Sequence, residues 1–190
     1  MLFCDRLSQQ DVRAVKLTNR VELLEALLND FRNTFPDLTF ELQLDFLLVN
    51  AQALRLVNRR LVTIYGGLAL HPRLGLDGLT FIVLHEVGHH LADGCRSRRD
   101  PLLACECAAD HWAVTTGVTS LCLKTERRLQ IHVAVEELDQ VLGSGQPSKG
   151  GYIKSTKRPR CWAGGWPSRR KAILKQVRSP REKGCCISYI

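Results

Sequence analysis

With 190 residues, 45% of them apolar, the chain can bury one sizeable core and is too apolar to be an extended disordered polymer. No uninterrupted apolar run reaches the roughly 18 residues that a bilayer span needs, and the first residues lack the apolar stretch of a secretory signal. The net charge of +8 is split: residues 1–147 hold 15 Lys and Arg against 18 Asp and Glu, and residues 148–190 hold 12 against 1.

That split predicts a near-neutral folded body, residues 1–147, followed by a basic extension, residues 148–190, that contains cysteine. The expectation is a soluble protein, cytoplasmic unless a signal missing from the given start directs it to the periplasm or outside the cell. The eight cysteines contain no C-x-x-C pair, so a structural zinc site built from cysteine has no support.

In chain order, residues 19–33 read as an amphipathic helix, with Val21, Leu24, Leu27, Leu28 and Phe31 on one face. Asn19 and Glu22 have capping-box spacing, and Pro36 ends the helix. Residues 38–46 alternate apolar and polar side chains as a half-buried strand does. Two short strands follow, 53–57 and 61–65, around a turn at 58–60, and Gly66-Gly67 interrupts the pattern. Asp77 is placed to cap a helix over 78–92, with Gly94 just beyond it. Asp100-Pro101 opens a helix expected to run to Thr116, and 120–142 reads as one long helix closed by Gly143. The stretch GSGQPSKGG after it has linker composition. A helix, a small antiparallel sheet and then three helices make an α+β fold.

The segment LHEVGHH, residues 84–90, carries the chemistry. On a helix, four residues span about 400° of rotation, so His85 and His89 point the same way and can bind one metal ion from one side. Glu86 beside them reaches a metal-bound water more readily than the metal. A catalytic zinc needs a third protein ligand and an open position. The stretch CECAADHWA offers Glu106, with His111 in reserve, and Asp110 lies one turn beyond Glu106 where it can accept the second ring N–H of a ligand histidine. His90 points about 100° away and is expected on the flank or the surface. His71 and His132 read as ordinary histidines.

HEVGHH together with ECAAD resembles the gluzincin metallopeptidases, whose pattern is H-E-x-x-H followed by E-x-x-x-D on the next helix. VNAQAL followed by LVTIYGGLALHP is similar to the strand pair that leads into their active-site helix. The likeness covers residues 49–113, about a third of the chain, and is nearest to soluble relatives of the heat-shock and Ste-type membrane metallopeptidases, with a looser likeness to ImmA/IrrE-type peptidases. It implies a zincin-like minimal metallopeptidase domain with one zinc ion bound by His85, His89 and Glu106. Glu86 would be the general base and Asp110 would orient a ligand histidine. It also implies a peptide or protein substrate, which the strand at 61–65 is expected to receive by edge pairing. The transmembrane helices of the membrane members have no counterpart here, and the His89–Glu106 gap is short for the family.

The alternative is a non-catalytic zinc-containing module whose basic tail, with Trp162 and Trp166 among Lys and Arg, contacts nucleic acid. A lesser expectation is that Cys161, or Cys185 with Cys186, caps the open zinc position as a thiolate.

Overall fold

The computed structural model describes residues 17–142 and 166–177. The glycine-rich linker, Trp162, Cys161 and the Cys185-Cys186 pair lie outside those residues.

Helix α1, Leu17–Thr34, buries Leu24, Leu27, Leu28 and Phe31, the face that its periodicity predicts. Strand β1, Thr39–Gln43, is shorter than the alternation of residues 38–46 suggests. After Gln43 the chain turns: the Phe46 N–H donates to the Gln43 carbonyl at 3.2 Å, and the Phe46 carbonyl accepts from Gly67 at 3.2 Å. Phe46 is left 60% exposed and packs its ring on Tyr65. Alternation of side chains persists through such a turn, which is why the pattern overstates the strand.

Strands β2, Ala51–Leu56, and β3, Arg59–Tyr65, form a hairpin whose loop is Val57-Asn58, one residue before the expected turn. The sheet order is β1-β3-β2. β2 runs antiparallel to β3, pairing Ala51 with Ile64 and Leu56 with Arg59, whereas β1 runs parallel to β3, pairing Thr39 with Leu61 and Gln43 with Tyr65. The sheet is therefore mixed, not antiparallel. The chain crosses the Tyr65 end of β3 between β1 and β2, so β3 is central. The expectation that residues 61–65 form an edge is corrected: both edges of β3 are filled, and β2 is the edge strand beside the histidine helix.

Gly66 and Gly67 open a short helix, α2, Gly66–Ala69. A Cβ on either would overlap the carbonyls of Leu44 and Leu47, so the glycines permit the crossing segment to lie against the end of β3.

Helix α3, Leu76–Leu91, is the centre of the molecule, and every residue from Gly78 to His90 is buried. The sheet covers one side, and helices α4, Glu106–Trp112, and α6, Ile131–Leu142, cover others. Asp77 is not its N-cap; that position belongs to Gly75, and Asp77 accepts the Gln130 N–H at 2.9 Å. The Gly78 N–H of the first turn instead meets Glu137 Oε2 of α6 at 2.7 Å. A distant carboxylate satisfies the helix start here, and no local pattern shows it.

Two further helix limits differ from expectation. Asp100-Pro101 lies in a turn, where Asp100 accepts the Leu102 N–H, and the helix starts at Glu106. That helix passes through a π-helical turn, Ala113–Gly117, into α5, Val118–Thr125. The long helix expected over 120–142 is two helices, because Glu126 takes the left-handed conformation, φ 60°, and breaks the run. The last element, α7, Trp166–Val177, lies within the basic stretch and buries Ile173 and Val177 in the common core.

Glu137→Ala removes the acceptor for the first turn of α3 and is expected to cost about 1–2 kcal/mol. Urea denaturation with an unchanged m value is the measurement, and Glu137→Gln is expected to lose less.

Candidate metal centre

The helical spacing of the histidines has its expected effect, because α3 is regular across them. His85, Glu86 and His89 are all buried and offer ligand atoms that lie within 4.8 Å of one another, a group able to hold a metal ion. The two imidazole rings meet edge to face, with centroids 4.6 Å apart.

The neighbours of each ring determine which nitrogen faces the centre. His85 Nδ1 is 2.8 Å from Asp110 Oδ1, and His89 Nδ1 is 2.8 Å from the Ala104 carbonyl. With both Nδ1 atoms engaged, Nε2 of each ring is turned toward Glu106: His85 Nε2 lies 3.3 Å from Oε2, and His89 Nε2 lies 3.6 Å from Oε1. Ligand atoms roughly 2.0–2.1 Å from a tetrahedral ion are themselves about 3.3 Å apart, so these separations suit one ion. A divalent metal ion fits the donor set on that ground, with two imidazoles and a carboxylate converging.

Helix α4 reaches this position because Gly88 has no side chain. A Cβ there would stand 2.8 Å from the Ala109 carbonyl oxygen and 3.0 Å from its Cα, so α3 and α4 touch backbone to backbone between the two histidines. The short link from His89 to Glu106 folds back on itself. The Ala104 N–H donates to the His89 carbonyl at 2.7 Å, Cys105 donates to the Cys95 carbonyl, and Arg96 bridges Ala104. Ala104 thus holds both the backbone and the ring of His89, and it delivers Glu106 as the first residue of α4. A carboxylate in that first turn is also favoured by the helix dipole.

Glu86 is 1% exposed and accepts the Ala53 N–H of edge strand β2 at 2.8 Å. The sheet therefore orients this carboxylate. His90, expected on the flank or the surface, is buried. Its Nε2–H donates to the Leu61 carbonyl of β3 at 3.0 Å, and burial lowers its pKa. It ties the helix to the sheet and takes no part in the group. His111 is exposed on α4 and stands apart from the converging set.

No periodicity pointed to Arg169. Its Nε and NH2 each stand 2.7 Å from Asp110, on Oδ2 and Oδ1, and its NH1 is 2.9 Å from Glu106 Oε2. NH2 also lies 3.3 Å from Nδ1 and 3.4 Å from Nε2 of His85. The only local hint is Pro167 followed by Ile173 and Val177 at helical spacing, which marks a docking helix inside the basic run.

The charges are coupled. Burial opposes ionisation of Asp110, but His85 and Arg169 outweigh it and bring the carboxyl to about 2. Burial likewise opposes ionisation of Glu106, and contact with His85 and Arg169 holds it well below the usual carboxylate range. His85 is pushed down by burial and further raised by Asp110, with a net rise to about 9, while burial and the His85 charge lower His89.

No protein-family model, curated protein or solved structure matches the chain. The metal-binding potential therefore rests on the geometry of this chain alone. Among the described residues no helix is long and apolar enough to cross a membrane.

Gly88→Ala should force α3 and α4 apart. The expected loss is about 1–3 kcal/mol of stability, read by thermal or urea melting. Metal uptake should weaken as well, because Glu106 and Asp110 move with α4.

Proposed function

We propose that the protein is a zinc-dependent metallopeptidase of zincin-like fold, in which His85, His89 and Glu106 hold one zinc ion and Glu86 is the general base. The observation that carries this reading is the orientation of the two rings. Each has its Nδ1 occupied by a fixed acceptor, and each turns Nε2 toward the same carboxylate at a separation suited to one ion.

Zinc in such a site supplies a water acidified to near neutral pKa and a Lewis acid for the scissile carbonyl. The residues of the chain have separate tasks. Asp110 takes the His85 Nδ1–H and holds that ring in one tautomer. Ala104 does the same for His89. Glu86, oriented by the Ala53 N–H, accepts a proton at its carboxylate and returns it to the leaving amide nitrogen. Because Glu86 hydrogen-bonds to β2, the edge strand Ala51–Leu56 lies beside the base, and an extended peptide paired to that edge would run past it. The substrate class proposed is therefore an extended polypeptide segment.

The alternative, a zinc module that contacts nucleic acid through its basic tail, draws less support from the described part of that tail. Arg169 is paired with Asp110 and Glu106, and Arg170 Nε is 2.6 Å from Asp139. Those two guanidinium groups are committed to carboxylates of the body.

Glu106→Ala is expected to reduce the zinc content of the purified protein from one per chain to near zero, measured by elemental analysis. Glu86→Gln is expected to keep the zinc while lowering hydrolysis of a mixed peptide pool by at least about 100-fold. Retention of full activity in Glu86→Gln would defeat the mechanism even with zinc present.

A further inference from the structure

We infer that Arg169 is a positioning residue for the metal centre: its guanidinium sets the orientation of Glu106 and Asp110, so a segment that reads as a basic tail completes the site. The inference rests on the reading of His85, His89 and Glu106 as the metal ligands.

Glu106 and Asp110 are one turn apart on α4, two like charges on one face, and each has a separate task. Glu106 must aim an oxygen at the two Nε2 atoms, and Asp110 must hold the His85 ring by its Nδ1. Unopposed, i,i+4 carboxylates repel and splay. The guanidinium spans both. Its Nε–NH2 fork grips the two oxygens of Asp110, each at 2.7 Å, and NH1 stands 2.9 Å from Glu106 Oε2 as an ion pair, without hydrogen-bond alignment. Oε2, paired with the guanidinium, lies 3.3 Å from His85 Nε2, and Oε1 lies 3.6 Å from His89 Nε2. Asp110 Oδ1 is shared between Arg169 NH2 and His85 Nδ1, so the arginine fixes the acceptor that fixes the ring. A planar fork can make these contacts together, whereas the point charge of a lysine cannot.

The helix that carries Arg169 does not depend on these carboxylates for its placement. Helix α7 is anchored by Ile173 and Val177 in the core. Asp139 of α6 holds it too, accepting Trp166 Nε1–H on Oδ1 and Arg170 Nε–H on Oδ2, each at 2.6 Å. The helix that carries Arg169 is thus placed by other contacts, and the Arg169 side chain is only 10% exposed.

The test is a zinc titration of the full chain against a fluorescent chelator, repeated with cobalt(II) to record the visible ligand-field spectrum. The wild type is expected to bind one zinc ion. Arg169→Ala should bind it about 10–100-fold more weakly, the usual cost of losing a group that orients a ligand. Arg169→Lys should recover only part of that affinity, and its cobalt bands should differ from those of the wild type. Lys171→Ala, which removes an exposed charge from the same helix, should bind zinc as the wild type does. Zinc affinity in Arg169→Ala equal to or above that of the wild type would overturn the inference, since the guanidinium would then be a bystander or a competitor of the metal. If Arg169→Ala fails to fold, the lysine variant decides: an affinity and cobalt spectrum identical to the wild type would overturn it. A wild type that takes up no zinc would remove the metal-site reading itself, and this inference with it.

Discussion

The backbone contact between Gly88 of α3 and Ala109 of α4 is the constraint on which the rest of the centre depends. Two helices can approach this closely only where one has no side chain, and here Gly88, between the two histidines, meets Ala109, within the Glu106–Asp110 turn. The contact brings two carboxylates against two imidazoles inside a helix that is buried from Gly78 to His90. Burying ionisable groups at this density is unfavourable unless each is paired. The chain answers with a partner for each of these rings and carboxylates: Asp110 for His85, the Ala104 carbonyl for His89, the Leu61 carbonyl for His90, the Ala53 N–H for Glu86 and Arg169 for both carboxylates.

These partners come from nearly every layer of the molecule. The edge strand orients Glu86, the central strand fixes His90, the folded-back link holds His89, and the last helix brings the guanidinium. Metal-binding potential is therefore a property of the whole α+β assembly, although its ligand atoms occupy little more than two helical turns. A donor set held by that many contacts has little freedom to rearrange, which is the preorganisation that tight metal binding needs. The uneven charge of the chain has a structural counterpart as well. Part of the positive excess of its C-terminal stretch is neutralised by Asp110, Glu106 and Asp139 of the acidic body.

Much of this was legible in the residues. Periodicity located α1 and the faces of β1, and the i,i+4 histidines and Glu106–Asp110 pair announced a shared face on each of two helices. Rotation about a helix axis is a local property, so spacing alone was enough. The errors share a different cause. The alternation of β1 shows which side chains face the core but not which strand is its neighbour, and it missed both the parallel pairing with β3 and the central place of β3. Asp77 has the chemistry of a cap, yet the first turn of α3 is served by Glu137, because a helix start takes whichever acceptor the fold brings nearest. Glu126 broke a run whose apolar seam read as continuous, since a single left-handed residue leaves the periodicity on either side intact.

The sequence by itself determined the α+β class, the histidine-bearing helix and the residues whose chemistry suits a metal, because these follow from composition and from the fixed geometry of helices and strands. Only the tertiary structure decided which nitrogen of each ring faces the centre, that His90 serves the sheet, and that Arg169 from the basic stretch grips Glu106 and Asp110. Those outcomes depend on contacts between residues 15 to 84 positions apart, and pairing at such distances is set by how the layers pack, which no local pattern encodes.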